Sequence, residues 1–244
     1  SIAQKLYEGV ELGEEGQVGL ITYMRTDSVR ISPEGLRELN SFIEKNYAKE
    51  YRLAQNRFYK LKKGAQDAHE AIRPTSVFRK KKKIARYLKP EQLKLYSLIW
   101  KRYTASQMAD AIFDVVTVEV EAANNTFQAS GTTMKFDGFT SLYSYSKEEE
   151  NENSSDLDEE GKQKHPAIKE GESLSLVATK PEQHFTSAPP RYSEASIIKT
   201  LEKEGIGRPS TYATIVDTIQ QRKYVKKVDG HFIPSDAAFV VSHI

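Results

Sequence analysis

The 244-residue chain has no cysteine, one tryptophan and three methionines. Without cysteine there is no disulfide scaffold, no zinc ribbon and no thiol catalysis, and a reducing compartment is the natural setting. No apolar run approaches the roughly 20 residues that cross a bilayer, and no signal peptide opens the chain, so a membrane partner is not expected. No methionine stands at position 1; the three are Met24, Met108 and Met134. The opening SIAQKLYEGVELG reads as the second half of an amphipathic helix, and the closing SDAAFVVSHI stops while a helical apolar pattern still runs. The expectation is a piece of a longer protein, long enough for one large domain or two to three small ones.

The formal charge of +2 hides an asymmetry. Residues 147–172 carry ten acids and four bases, leaving +8 on the rest, and between Arg57 and Arg102 fifteen Lys and Arg face three acids. A basic surface of that density suits a polyanion such as nucleic acid, and a merely solvated face explains the charge equally well.

Ser32-Pro33-Glu34 is a helix start, with Ser as N-cap, Pro in the first turn and an acid against the dipole. Leu36, Leu39, Ile43 and Tyr47 then form one apolar stripe. Pro90-Glu91 opens a second helix with Leu93, Tyr96, Trp100 and Tyr103 inward. Near Asp110 the period changes to two. Val116, Val118 and Val120 predict a half-buried strand, turned back at Asn124-Asn125 into a second strand through Phe127 and Ala129. Further strands are expected around 139–145 and 174–178. The acidic stretch at 147–165 lacks apolar periodicity and reads as a mobile insertion. After Pro189-Pro190 the pattern is helix (194–204), a break at Gly205, a helix capped by Ser210, and a Lys-rich hairpin around Asp229-Gly230, the order of a winged helix-turn-helix.

Three clusters carry potential chemistry. In ITYMRTDS, Tyr23 and Arg25 share a face if the backbone is extended. A phenol becomes an oxygen nucleophile when a cation favours its anion, and a guanidinium holds a phosphate oxygen. Simple packing explains the same pair. In QDAHEAIRPT, His69, Glu70 and Arg73 suit phosphate binding or proton transfer, while an i,i+3 ion pair beside a satisfied His is the bland alternative. In EGIGRPSTY, two glycines, Arg208 and a Ser/Thr helix start form either an anion cradle or an ordinary turn.

These three strings, ITYMRTDS, QDAHEAIRPT and FTSAPPRYSEASIIKTLEKEGIGRPSTYATIVDTIQQRKYV, occur in order and together resemble type IA DNA topoisomerases. The Met of ITYMRTDS resembles the bacterial topoisomerase I branch. The resemblance covers nearly the whole chain; only the acidic stretch departs from it. It implies an α+β multidomain fold in which a helical gate domain is inserted into a β-rich arch and followed by a winged-helix-like segment. The implied boundaries are 1–9 (entry helix at the end of the arch), 10–109 (gate), 110–190 (arch) and 191–244 (start of the winged-helix-like domain). The Gly-containing stretch at 136–140 is the hinge candidate for gate opening.

It further implies an isomerase that works without ATP on single-stranded or negatively supercoiled DNA in the cytoplasm of a bacterium, at the nucleoid. Tyr23 would form a 5′-phosphotyrosine bond, with Arg25 and His69 at the scissile phosphate. Arg25, Arg73, Arg208, Ser210, Thr211 and Arg222 would contact DNA, and Asp27 would either hold Arg25 or serve a turn. The family's Mg²⁺ is held by acidic residues of a toprim domain, which this sequence does not contain. The triple Asp156, Asp158 and Glu160 has no apolar strand before it and reads as a loop, so no metal site is expected here. The piece by itself would bind DNA and not cleave. The alternatives are a tyrosine recombinase or type IB enzyme, which places Tyr after its Arg and His residues, and a non-enzymatic winged-helix DNA-binding module.

Overall fold

The computed structural model describes residues 1–60, 69–143, 168–186 and 188–242. The chain divides into two compact units, Ser1–His165 and Pro166–Ile244, and the fold is α+β. The acidic stretch at 147–165, with Asp156, Asp158 and Glu160, lies outside the described residues, as do Gln66, Asp67 and Ala68.

The first unit opens with helix α1 (Ile2–Glu8), whose N-cap Ser1 accepts from the Gln4 amide. A minimal hairpin follows, β1 (Val10–Glu11) against β2 (Gln17–Val18). Helix α2 (Pro33–Asn46) starts where Ser32 accepts from the Gly35 N–H and Pro33 stands in the first turn. It buries Leu36, Leu39, Phe42 and Ile43, the stripe expected from spacing with Phe42 added. The short α3 (Lys81–Ile84) leads to α4 (Pro90–Ala105).

Two hydrophobic cores result. Leu6, Leu12, Leu20, Ile21, Ile84, Leu88 and Tyr96 form one, and Leu39, Phe42, Ile43, Val77, Tyr103 and Met108 the other. Helix α4 serves both, with Trp100 packed on each cluster. Its aromatic side chains keep their polar ends satisfied. Tyr96 donates to the Arg79 carbonyl at 2.7 Å, Trp100 to the Val77 carbonyl at 2.8 Å and Tyr103 to the Gly35 carbonyl at 2.9 Å. Burial pushes the Tyr103 phenol up to about 12 and the Tyr96 phenol further in the same direction.

After α4 the chain enters a long antiparallel ribbon, β3 (Ile112–Ala122) with β4 (Asn125–Phe136), in the register Val116↔Gly131, Val118↔Ala129 and Val120↔Phe127. The turn falls on Ala123-Asn124, both at positive φ, one residue before the expected Asn124-Asn125. Left-handed backbone at both central positions matches a type I′ turn, which follows the strand twist. The expected half-buried strand is more open than that. Val115 is 61% and Val116 53% exposed, because among the described residues no layer stacks on the ribbon.

Where a strand is expected at 139–145, the described residues 139–143 form no strand and the chain makes a 3₁₀ turn, Gly138–Ser141; residues 144 and 145 lie outside the described residues. Gly138 is buried at φ +47, and a Cβ there would lie 2.5 Å from the carbonyl oxygens of Ala109 and Asp110. The Phe139 N–H bonds to the Ala109 carbonyl, and Tyr51 donates to Asp137. The segment read as a hinge candidate thus bonds to Tyr51 and Ala109 of the same unit. No strand forms at 174–178, where Val177 is almost wholly exposed and, among the described residues, no partner strand supplies a ladder.

In the second unit, α5 (Glu194–Lys203) starts on a capping box of Ser193 with Ser196. It ends as the Ile206 N–H bonds to the Leu201 carbonyl around Gly205 at φ +71. Helix α6 (Tyr212–Gln221) follows, then the hairpin β5 (Val225–Val228) and β6 (His231–Pro234), turned at Asp229-Gly230, and α7 (Asp236–Ser242). The expected cap Ser210 is corrected to Thr211, which stands at the N-cap position. The Phe232 N–H bonds to the Tyr192 carbonyl, and Lys227 pairs with Glu194 at 2.7 Å, docking the hairpin on the start of α5.

Candidate active site

The segment that carries Tyr23 is anchored by its own apolar lead. Leu20 and Ile21 are buried in the first core, and the Leu20 N–H bonds to the Leu6 carbonyl at 2.7 Å. Gly19 permits this approach: a Cβ there would lie 2.8 Å from the Tyr7 carbonyl oxygen. On the other side the chain pairs with residues 71–75. Ile21 bridges Pro74, the Thr75 N–H bonds to the Leu20 carbonyl, and the Thr22 N–H bonds to the Arg73 carbonyl. The Thr22 hydroxyl closes the join. It donates to the Ala71 carbonyl at 2.7 Å and accepts from the Arg73 N–H at 2.9 Å.

This pairing brings two of the three expected catalytic residues together. The Tyr23 and His69 rings lie 4.9 Å apart at 33°, and Tyr7 of α1 meets Tyr23 edge-on at 5.5 Å. Tyr23 and His69 are both half-buried. Arg25 is exposed, and no ion pair or side-chain hydrogen bond holds it among the described residues. The backbone bends at Met24 and Arg25, so the extended geometry that would put Tyr23 and Arg25 on one face is not met. Two hydroxyl turns follow, Thr26 accepting from the Ser28 N–H and Ser28 from the Arg30 N–H.

Arg73 is placed differently from the rest. Its Nε donates to Glu70 at 2.7 Å, and its other nitrogens reach the Pro74 carbonyl and the Ser32 hydroxyl. Its side chain is only 12% exposed. The i,i+3 ion pair is thus present, and it ties the His69 segment to the start of α2. Burial acts to raise the Glu70 carboxyl, but hydrogen bonding and charge from Arg73, with the Ser32 hydrogen bonds, outweigh it and hold that carboxyl below the usual range.

The second unit holds the other expected contacts. Thr211 Oγ1 accepts from the Arg208 N–H at 2.9 Å and donates to the Arg208 carbonyl at 3.1 Å, closing a compact turn. Arg208, Ser210 and Thr211 are exposed at the start of α6. Arg222 is exposed at the C-cap of the same helix. One ten-residue helix, about 15 Å long at 1.5 Å per residue, therefore separates Arg222 from the other three.

Among the described residues no group of three or more His, Asp or Glu stands close enough to hold a metal ion. A divalent cation acting on phosphate wants clustered carboxylates, and the carboxylate beside His69 is already engaged by Arg73. The donor set of these residues does not fit Mg²⁺. No helix among them is long and apolar enough to cross a membrane. The sequence reading missed Gly19, Thr22 and Tyr7. Thr22 leaves no local signal, since its partners are 49 and 51 residues away. The apolar-to-polar change at 19–22 and a Tyr on the first helix were the available hints.

The chain belongs to the DNA topoisomerase family, whose model matches residues 1–244. It is 49% identical over 243 residues to DNA topoisomerase 1 of Xylella fastidiosa, in both the Temecula1 and 9a5c strains. Each alignment covers 99% of this chain and 29% of the relative, so the chain spans under a third of these proteins. Full-length topoisomerase I from Thermotoga maritima, in a monoclinic crystal form, superposes with a TM-score of 0.80 at 35% identity. That match covers 99% of this chain and 37% of the Thermotoga chain.

Proposed function

We propose that this chain is the nucleophile-bearing part of a bacterial type IA DNA topoisomerase, an isomerase that cleaves and reseals one DNA strand without ATP. The Tyr23 phenolic oxygen attacks the phosphorus of a single-stranded phosphodiester, the bond from phosphorus to O3′ breaks, and the strand's 5′ phosphate stays on the tyrosine. The phenolic proton leaves to solvent or a neighbouring base, and the departing O3′ takes up a proton. The ester keeps the bond energy, so the same 3′ hydroxyl attacks in reverse and reseals the strand after another has passed. Relaxation of negative supercoils follows.

His69, against the Tyr23 ring, orients the phenol and bonds the phosphate. Arg25, exposed two residues on, neutralises the charge that develops on the phosphate oxygens. Arg208, Ser210, Thr211 and Arg222 track the strand's backbone along the winged-helix-like segment. Arg73 supports these groups by anchoring the His69 segment. Mg²⁺ belongs to acidic residues of a toprim domain elsewhere in the intact enzyme, which works in the bacterial cytoplasm on nucleoid DNA. In this reading residues 10–109 are the gate, 110–190 the arch and 191–244 the start of the following domain.

The observation that carries the proposal is the half-buried Tyr23 ring held against His69 by pairing between two of the three motifs. Tyr23→Phe in the intact enzyme is expected to abolish the denaturant-resistant DNA adduct and relaxation while oligonucleotide affinity stays within about twofold. An adduct that persists in the variant overturns the assignment.

A further inference from the structure

A second surface of the first unit stands apart from the Tyr23–His69 pair. The run Arg79-Lys80-Lys81-Lys82-Lys83-Ile84-Ala85-Arg86 forms α3 and the 3₁₀ turn after it (Ala85–Tyr87). Ile84 and Leu88 plug into the first core, at 3% and 9% exposure, so the charged side chains stand on anchored backbone. Beside them lies an open cleft of about 770 Å³, with Glu15, Arg79, Lys82, Lys83 and Arg86 among its lining residues. Four cations there face one carboxylate.

These cations are not equivalent. Arg79 is paired with Glu15 at 3.1 Å. Arg86 lies over the Tyr87 ring, 4.6 Å from its centre, and donates to the Tyr87 hydroxyl. Lys80 turns out of the cleft to Asn46 and to the face of Phe42. Lys82 and Lys83 line the cleft and make no ion pair among the described residues. Lys81, on the same turn of helix, is exposed but does not line it.

The chemistry selects a polymer over a small anion. No buried donor or bidentate guanidinium is free to grip one phosphate, and two flexible ammonium groups hold a lone anion weakly in water. A chain of phosphates gains affinity with each cation through release of its condensed counterions. The two aromatic rings in the lining, Phe78 and Tyr87, each already carry a cation, Lys45 at 5.7 Å and Arg86. Recognition by charge, without base reading, fits that arrangement.

We propose that this cleft is a second phosphodiester-backbone site, in which Lys82 and Lys83 hold DNA that is not the stretch under attack by Tyr23. Its identification as a DNA site rests on the proposed function; the polyanion chemistry does not.

The test uses the 244-residue chain carrying Tyr23→Phe, with binding of a fluorescent single-stranded oligonucleotide and of its duplex followed against KCl concentration. Each lost phosphate contact lowers the slope of log affinity against log salt by about 0.7 for a single strand and about 0.9 for a duplex. K82Q/K83Q is expected to lower it by about 1.4 or about 1.8 in the arm that uses the cleft, with K81Q unchanged and all circular dichroism spectra alike. A change confined to one arm names the form of DNA held. Equal loss from K81Q and from either single variant, K82Q or K83Q, overturns the cleft in favour of diffuse charge. An unchanged slope in both arms, or no binding at low salt, overturns it outright. Loss of the Tyr23 adduct hypothesis in the intact enzyme leaves these slopes where they are, so the two readings fail separately.

Discussion

The Tyr23 site and the Arg208 turn bear the same kinds of residue and are built in opposite ways. The first is held by contacts between residues about fifty positions apart, Thr22 with Ala71 and Arg73, and Thr75 with Gly19. The second is held by contacts three positions apart, Thr211 with Arg208. A site of the first kind depends on the core beneath it, so remote packing changes move its ring. A site of the second kind carries its geometry in a few residues and tolerates changes elsewhere. The proposed nucleophile, which would need a fixed direction of attack, sits in the first; the exposed side chains proposed to follow a DNA backbone sit in the second.

Gly19→Val breaks the first site at its base. The new side chain would meet the Tyr7 carbonyl, and a loss of about 3 kcal/mol is expected, the upper end of the usual range for overpacked positions, measured by urea denaturation of the chain. Thr22→Val keeps shape and removes the hydroxyl that joins residues 22, 71 and 73. It should cost about 1–3 kcal/mol, the range for leaving buried polar groups unpaired. It should also slow adduct formation by the intact enzyme without weakening DNA binding, with Thr22→Ser restoring the rate. If Thr22→Val and Thr22→Ser behave alike, the hydroxyl is not what positions Tyr23.

Thr211→Val removes the local hydrogen bonds with Arg208, should cost about 1 kcal/mol or less, and should leave the Tyr23–His69 contact untouched by NMR of the two rings. A change there would end the distinction between local and long-range construction. The smallest effect concerns pH. Because the Glu70 carboxyl is held below its ordinary value of 4.5 in the folded chain, its contribution is present above that value. It is lost as pH falls through the lowered one. Partial exposure limits it to about 1 kcal/mol or less. Stability of the parent and of Glu70→Gln should converge as pH drops from 7 to 3; parallel curves would remove Glu70 from the acid-side loss.

Legibility in the sequence followed the same division. The helices at 33–46 and 90–105 announced themselves by cap, proline and stripe, and the structure keeps their inward residues. The Gly205 break and the Asp229-Gly230 hairpin were equally local signals. The errors lie where a partner decides. Residues 139–143 and 174–178 had β-type composition but no strand to pair with, and Gly138 turned the former into a tight helical bend. The N-cap position falls on Thr211 and not on Ser210, and the Thr211 hydroxyl is spent on the Arg208 turn before the helix, not on a helix N–H. In the candidate site, the residue types of Tyr23, His69 and Arg208 were visible as motifs. That Tyr23 and His69 touch was not, because the join runs through Thr22, whose neighbours in sequence say nothing about residue 71. Arg73 was placed among DNA contacts from its motif, whereas its guanidinium is tied down inside the unit by Glu70, Ser32 and the Pro74 carbonyl.

The three aromatic tips of α4 fasten backbone at positions 35, 77 and 79 to one rigid rod. The lysine-bearing cleft begins at Arg79, and Gly35 abuts the Arg73 guanidinium: a Cβ there would lie 3.1 Å from Arg73 Nε. Loosening that rod releases both neighbourhoods at once. Amide protons beside Tyr23 and beside the basic run should consequently exchange with solvent in a single opening event.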